Sequence, residues 1–319
     1  MCEAMQTKRT RGRAAALSFS AAFSSALLAL LFATAAHGQE KSPDEHFKLG
    51  NDYMNAGLID KAVEAYEKAV EGRKDFKEAW YNLGLAYSRN KDFAREIEAY
   101  RKAVDLDPKY GKALFNLAIA LEDSGQADQA LETYQKVVQQ EPKAADAWVN
   151  IGILNARKGK LEQAIDAYGK AIEIDPDMPD AWFNRGIAYS KQAEAALADA
   201  DKKALREKEV EDYKKAVERR PNYHKAFYNM AIAYNKLADV DNEIRAYQSA
   251  IKIKEDYAQA LFNLAYALEE KGDAQQSIAH WKRYLEVAEN LPGEKTFIET
   301  AKSELDRLIR SQEGGEAPK

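Results

Sequence analysis

Residues 79–108 read AWYNLGLAYSRNKDFAREIEAYRKAVDLDP, and this stretch decides the fold. Its first half places apolar and small side chains at positions i, i+3, i+4 and i+7, which form one face of an α-helix: Trp80, Leu83, Gly84 and Tyr87. A second apolar helical face runs from Phe93 to Val104. Pro108 restrains the residue before it, so the second helix ends there. The stretch therefore predicts two helices joined by a turn near Asn90 and Lys91.

The same pattern recurs along the chain with a period of 34 residues. One aromatic position marks it, at Tyr66, Tyr100, Tyr134, Tyr168, Tyr213, Tyr247 and Trp281. A small residue marks it too, at Gly50, Gly84, Ala118, Gly152, Gly186, Ala231 and Ala265. We expect the small residue to let the two helices approach closely while the aromatic ring fills the gap between them. Neither helix can bury its apolar face alone, so the repeats must stack.

This pattern resembles the tetratricopeptide repeat family, including its Trp-x-x-Leu-Gly-x-x-Tyr run at residues 80–87. The resemblance implies an all-α, right-handed α-solenoid of about seven helix–turn–helix repeats. Their predicted bounds are 43–76, 77–110, 111–144, 145–178, 179–223, 224–257 and 258–291. Arg185 departs from the family pattern by replacing a leucine, and Asn155 and Asn235 fall at or next to the position of Tyr87.

The two ends of the array carry signals of their own. Ser42 to Glu45 read SPDE, which predicts a capping box with proline at the first helical position. Residues 292–310 predict a capping helix with one apolar stripe and charged outer faces. Residues 311–319 are rich in glycine and polar groups and predict a disordered tail.

The fifth repeat is 11 residues longer than the others, because the step from Tyr168 to Tyr213 is 45 residues instead of 34. The extra segment, Ala193 to Lys203, lacks glycine and proline, so it predicts a lengthening of both helices by about one and a half turns each. Asp201 is the expected cap of the second helix, with Leu197 and Leu205 near the tip. The segment is either a tolerated insertion or a specific lateral contact; the sequence leaves both open.

The N-terminus carries a targeting signal. Four basic residues between Lys8 and Arg13 precede an uncharged run from Ala14 to Ala36 that ends in small residues. This order is typical of a secretory signal peptide over residues 1–38, which predicts export to the periplasm or outside the cell. An uncleaved membrane anchor over residues 14–36 and an organellar transit peptide are the alternatives.

Composition excludes several functions. Without residues 1–38 the chain has 43 basic and 51 acidic residues, a net charge of −8, which argues against nucleic acid as a partner. Cys2 is the only cysteine, so the exported part has no thiol for a disulfide, metal site or nucleophile. Histidines lack metal-ligand spacing, and neither a phosphate-binding glycine loop nor a nucleophile elbow occurs. The sequence predicts no catalytic residue, no metal and no cofactor.

One polar side chain recurs beside the core positions of six consecutive repeats: Asn82, Asn116, Asn150, Asn184, Asn229 and Asn263. Aromatic residues precede most of them, at Tyr81, Phe115, Phe183, Tyr228 and Phe262, with Val149 in the remaining repeat. In the family that these repeats resemble, this side of the first helix lines a concave groove. An amide has two donors and two acceptors, so a row of amides suits the backbone of an extended peptide. The alternative is a structural role, in which the amides bond neighbouring helices.

A second arrangement known from the family, the carboxylate clamp of co-chaperones, is matched only at Asn51, Asn82 and Lys112. Phe47 and Asn116 stand where basic residues are expected, so we do not expect a working clamp. Two functional hypotheses follow. The first is an exported, non-catalytic scaffold for a peptide or protein, in envelope assembly or secretion. The second is a regulatory or accessory subunit of an enzyme or secretion complex, anchored to the membrane by residues 14–36.

Overall fold

The computed structural model describes residues 41–289 and 291–312. This part of the chain forms fifteen α-helices and no strand, which confirms the all-α prediction. The predicted signal peptide or anchor and residues 313–319 of the predicted tail lie outside the described residues. Ser311 and Gln312, which we assigned to the tail, belong instead to the last helix.

Each predicted repeat contains one helical hairpin. The helices are α1 (Pro43–Asn55), α2 (Ile59–Gly72), α3 (Lys77–Arg89), α4 (Phe93–Leu106), α5 (Gly111–Asp123), α6 (Ala127–Gln140), α7 (Ala145–Arg157), α8 (Leu161–Ile174), α9 (Pro179–Ala195), α10 (Asp199–Arg219), α11 (His224–Lys236), α12 (Val240–Ile253), α13 (Ala258–Glu270), α14 (Ala274–Ala288) and α15 (Lys295–Gln312). The chain divides into two compact bodies. The N-terminal body ends at Asp107 and holds α1–α4, and the C-terminal body begins at Pro108 and holds α5–α15.

The core of each hairpin is an aromatic ring against a small residue. All seven marker aromatics are at most 2% exposed. In four repeats the small residue is glycine, and a Cβ there would lie 2.4–2.7 Å from the tyrosine Cε1: Gly50 on Tyr66, Gly84 on Tyr100, Gly152 on Tyr168 and Gly186 on Tyr213. Real Cβ atoms do not approach that closely, so these glycines let the ring lie directly on the first helix. The predicted close approach is confirmed.

Six of the seven hairpins turn through one residue with a left-handed backbone. Four of these residues are glycines, at Gly57, Gly125, Gly159 and Gly272, and the other two are Lys91 and Ala238, with φ of 59° and 56°. The left-handed residue ends the first helix and reverses the chain, a conformation that costs glycine nothing and other residues more. The hairpin of the fifth repeat is the exception among the described residues. Its turn begins at Ala196, where φ is −67°.

The insertion in the fifth repeat is divided unequally between its two helices. Helix α9 has 17 residues and α10 has 21, whereas α7 and α8 in the preceding repeat have 13 and 14. The predicted equal lengthening is therefore wrong. Asp201 is not the cap of α10, because Ala198 occupies that position without a side-chain bond and Asp201 lies in the first turn. There its carboxylate interacts favourably with the positive end of the helix dipole. Leu197 at the tip is 96% exposed, and Leu205 is half-buried.

A buried arginine, paired within its own helix, also bonds the other helix of the long hairpin. Arg206 Nη1 donates to Ser190 Oγ of α9 at 2.7 Å and to Glu209 Oε2 at 2.7 Å. Both Arg206 and Glu209 are buried. Because a buried charge is costly unless it is paired, these contacts favour one alignment of α9 against α10 over others.

A second buried pair explains the departure at Arg185. Its guanidinium donates Nε and Nη2 to the two carboxylate oxygens of Asp212, both at 2.8 Å. The Asp212 side chain is 4% exposed. In the other repeats the position of Asp212 holds alanine, threonine or histidine, and the position of Arg185 holds leucine, isoleucine or methionine. The two departures therefore occur in the same repeat and neutralise each other.

The ends of the array are capped as predicted. The Ser42 hydroxyl accepts from the Glu45 backbone N–H, and Glu45 accepts from the Ser42 backbone N–H, which confirms the capping box. Helix α15 continues the register of the first helices, with buried Ala301 in the place of Ala267. Where an eighth second helix would pack, α15 carries Glu299 and Lys302 in the places of Gly84 and Tyr87. These exposed charges end the stack because they leave no apolar face for another hairpin.

We predict that Arg185→Leu alone destabilises the protein by about 3 kcal/mol, because it leaves the Asp212 carboxylate buried and unpaired. The double variant Arg185→Leu with Asp212→Ala restores the residue types found in sibling repeats. It should recover most of that loss in urea unfolding followed by circular dichroism. A double variant as unstable as the single one would show that the ion pair is not what couples the two positions.

Candidate functional site

In the N-terminal body the asparagine amide bonds neighbouring repeats. Asn82 of α3 donates Nδ2 to Asn51 Oδ1 of α1 at 2.8 Å. The Tyr66 hydroxyl of α2 donates to the same oxygen at 2.8 Å. Burial raises the pKa of Tyr66 to about 12, and the nearby Asn82 amide acts in the opposite direction. Two amides and one phenol therefore connect α1, α2 and α3.

The row in the C-terminal body is less uniform. Asn263 donates Nδ2 to the Tyr228 hydroxyl at 3.3 Å. Burial raises the pKa of the Tyr134 and Tyr213 hydroxyls, and the Asn150 and Asn229 amides beside them oppose that rise. The Tyr134 hydroxyl nevertheless has no hydrogen-bond partner among the described residues.

Asn184 resembles Asn150 and Asn229 in forming no hydrogen bond within the part of the chain that the structure describes. Its amide is half-buried. The preceding Tyr168 is buried, and burial is the main cause of its raised pKa. The polar groups of Asn184 therefore keep their capacity to bind something outside the chain.

The end of the row indicates why the asparagines recur. Trp281 replaces the marker tyrosine of the seventh repeat, and Phe297 stands in α15 where the next asparagine would fall. The hydroxyl and the amide are thus lost together. Phe297 packs edge-to-face on Phe262 with ring centroids 5.5 Å apart, and the Trp281 Nε1 is buried without a hydrogen-bond partner among the residues that the structure describes.

The aromatic residues that precede the asparagines pack inside the hairpins. Their ring centroids lie 5.7–5.9 Å from the marker tyrosine of the same repeat in four pairs: Tyr81–Tyr100, Phe115–Tyr134, Phe183–Tyr213 and Tyr228–Tyr247. Phe262 contacts Trp281 in the same way, at 5.0 Å. Phe183 is only 1% exposed because Tyr213 and Tyr223 both cover it. Our assignment of Phe183 to an open groove is therefore corrected: it is a core residue.

Other residues form the open part of this face. One turn after each asparagine lies a half-buried aliphatic residue in α5, α7, α9 and α11: Ile119, Ile153, Ile187 and Ile232. Tyr266 takes this place in α13 and is 37% exposed. Asparagine amides and isoleucine side chains therefore alternate along the first helices of the C-terminal body. The sequence places these aliphatic residues on the same helical stripe as the asparagines. Only the structure shows that the neighbouring aromatic residues pack inside the hairpins.

No catalytic centre emerges from the titratable groups that the structure describes. Burial raises the pKa of Glu243 to about 7, a value found in general acids and bases. Glu243 is only 4% exposed, however, and accepts a hydrogen bond from Asn235 at 3.2 Å. It meets no substrate there. Within residues 41–289 and 291–312, acidic, histidine and cysteine side chains form no group of three able to hold a metal ion, and none of the helices is long and apolar enough to cross a bilayer.

These features define a class of protein. Helical hairpins that repeat every 34 residues, each with a ring on a small residue, form an α-helical repeat array. Sequence models of the tetratricopeptide repeat match residues 47–111, 90–150, 156–192, 224–257 and 259–288. The chain belongs to the tetratricopeptide repeat family.

Solved structures share this fold at low sequence identity. The C-terminal part of a repeat protein from Cytophaga hutchinsonii is 17% identical, with a TM-score of 0.65 over 77% of this chain and 96% of that one. YrrB, described as a tetratricopeptide repeat protein with an unusual peptide-binding site, is 19% identical, with a TM-score of 0.52 over 62% and 97%. MamA is 24% identical, with a TM-score of 0.50 over 57% and 94%. No curated protein matches the sequence significantly.

Membership of this family supports the coarser functional prediction, a scaffold for protein–protein interaction. Proteins of this class are typically non-catalytic and bind protein or peptide partners. The partner, its binding surface and the compartment are separate questions.

We predict that Asn82→Ala lowers the free energy of unfolding by about 1 kcal/mol, because Asn51 loses its amide donor. Asn184→Ala should change it by less than about 0.5 kcal/mol, since that side chain makes no hydrogen bond to any residue that the structure describes. Urea unfolding of the two variants measures the difference. Equal losses at both positions would contradict the distinction between a structural and a free amide.

Proposed function

We propose that the protein is an exported, non-catalytic scaffold that binds an extended segment of a partner protein. The binding surface is the open face of the first helices α5, α7, α9, α11 and α13, which we call the amide face. It consists of Asn116, Asn150, Asn184, Asn229 and Asn263 with the isoleucines beside them. The observation that carries the proposal is the half-buried Asn184 amide, which like those of Asn150 and Asn229 makes no hydrogen bond within the described residues.

The chemistry of the amide face suits a peptide backbone. One asparagine side chain can bond both the N–H and the C=O of a single peptide unit, without regard to the side chains of the ligand. The isoleucines add apolar contact. If three or four amides each contribute about 1 kcal/mol and apolar contacts a similar total, the entropy of ordering the peptide leaves micromolar affinity or weaker.

The comparison with YrrB supports this function. That protein has the same fold and is described as having a peptide-binding site. The likeness concerns the fold alone, so the residues that bind must come from this chain. Here the amide face supplies them.

Export is part of the proposal. It rests on the basic, apolar and small-residue order of residues 1–38. A mature chain that begins near residue 39, found outside the cytoplasm by fractionation and N-terminal sequencing, would support cleavage. A membrane-bound chain that keeps its N-terminus would favour the alternative, an accessory subunit anchored through residues 14–36. A chain that stays in the cytoplasm would contradict export.

The binding function is tested by the triple variant Asn150→Ala, Asn184→Ala and Asn229→Ala. We expect affinity for a native partner peptide, identified by crosslinking and mass spectrometry, to fall about tenfold or more in calorimetry. Helix content should be unchanged. The matched control replaces Asn222, Asn242 and Asn90 by alanine, three asparagines outside the amide face.

Full affinity in the triple variant would contradict the assignment of the amide face. A loss of folding in the triple variant, with the control intact, would instead identify the row as a structural ladder throughout.

A further inference from the structure

The amide face carries an ordered row of charges along one edge. Seven residues after each asparagine, and therefore on the same helical stripe, stands a charged residue. In the order α5, α7, α9, α11 and α13 these are Asp123, Arg157, Lys191, Lys236 and Glu270. Three consecutive helices thus present cations, and an acid follows at each end of the series. We call these three cations the basic row.

Helix stability explains only part of the basic row. A cation in the last turn of a helix is favourable because it faces the negative end of the dipole. That reasoning applies to Arg157 and Lys236, which lie in the last turns of α7 and α11. It does not apply to Lys191, because α9 continues to Ala195. Helices α5 and α13 form with acids at the same place, so the fold does not require a cation there.

The cations are available to a ligand. Neither Lys191 nor Lys236 forms an ion pair with any residue that the structure describes. Arg157 donates Nη1 to Glu122 Oε1 at 2.8 Å, and its side chain is still 38% exposed. The isoleucines between these cations and the asparagines are half-buried. The basic row therefore borders an apolar and amide surface, in a protein whose residues 39–319 carry a net charge of −8.

The geometry of the stack sets a spacing for the ligand. First helices of neighbouring repeats touch: α7 contacts α9 directly, and Asn263 of α13 bonds Tyr228 of α11. Helices packed side by side have axes about 8–10 Å apart. An extended chain in the polyproline II conformation advances about 3.1 Å per residue with three residues per turn, so every third side chain points the same way. One step from helix to helix therefore corresponds to about three residues of an extended peptide.

We propose that the segment bound on the amide face is acidic, with a carboxylate at every third residue. Its backbone lies on the amides of Asn150, Asn184 and Asn229, and its carboxylates meet Arg157, Lys191 and Lys236. This inference rests on the proposed function, because it assigns the class of partner for the same surface. The acids at the two ends of the row, Asp123 and Glu270, disfavour continuation of the acidic segment beyond three contacts.

Synthetic peptides test the inference on the full chain. The probe is fluorescein-labelled (Glu-Ser-Val)₄, and its neutral match is (Gln-Ser-Val)₄. A third peptide has the composition of the probe with its four glutamates in one block. We expect the probe to bind about tenfold more tightly than the neutral peptide in fluorescence anisotropy, more tightly than the block peptide, and less tightly as salt rises.

The variant Lys191→Gln with Lys236→Gln should lower affinity for the probe about tenfold and leave affinity for the neutral peptide unchanged. Its control, Lys214→Gln with Lys252→Gln, removes the same charge from exposed positions on the second helices α10 and α12. An equal loss of affinity in the control would show that only the net charge of the protein matters. That result would overturn the role of the basic row in binding.

The remaining outcomes separate the two proposals. Equal and measurable binding of the probe and the neutral peptide would overturn the acidic partner. The amide face would then remain a site that binds the peptide backbone without regard to charge. Equal binding of the probe and the block peptide would overturn the three-residue spacing. Absence of binding by all three peptides would overturn the acidic partner and the proposed function together.

Discussion

The structure depends on the contact between a tyrosine ring and the backbone of a small residue in each hairpin. This contact sets the distance between the two helices, and it buries the ring almost completely. A buried phenol keeps a polar hydroxyl that is costly to leave unpaired. In the N-terminal body that hydroxyl and the amide from the next repeat meet on the same oxygen of Asn51. The recurrence of asparagine is thus in part a consequence of the ring, and both residue types disappear together at Trp281 and Phe297.

The same constraint determines where the row can bind a ligand. An amide that is bonded to a neighbouring repeat has less capacity left for a peptide, as at Asn82. In the fifth repeat the hydroxyl of Tyr213 has Glu209 beside it in addition to Asn229. Glu243 stands at the same place beside Tyr247, four residues before the marker tyrosine, so the second polar group does not depend on the insertion. Asn184, which follows Tyr168, makes no hydrogen bond within residues 41–289 and 291–312.

Local patterns made the helices, the hairpin turns and the N-terminal capping box predictable. A period of 3.6 residues within a period of 34 identifies both helices of a repeat, and glycine marks the left-handed turn residue. The division of the insertion was not predictable, because alanine and lysine favour helix on either side of the turn. The burial of Phe183 depends on Tyr223, which lies beyond the insertion. The pair of Arg185 and Asp212 could have been found by aligning the repeats, since both departures fall in one repeat, but their contact spans 27 positions.

Residues that face inward are repeated because every hairpin solves the same packing problem. Residues on the open stripe are not constrained by this packing, so the fold does not explain the differences between repeats there. The position seven residues after the asparagine changes sign from acid to base and back along five helices, while the isoleucine before it hardly changes. Charges at the border of a binding surface contribute to partner selection and to the rate of association. The amide face therefore combines apolar and amide groups that hardly vary with a charged border that varies between repeats. Such a surface can hold the main chain of a ligand in one way and still select its partner by charge.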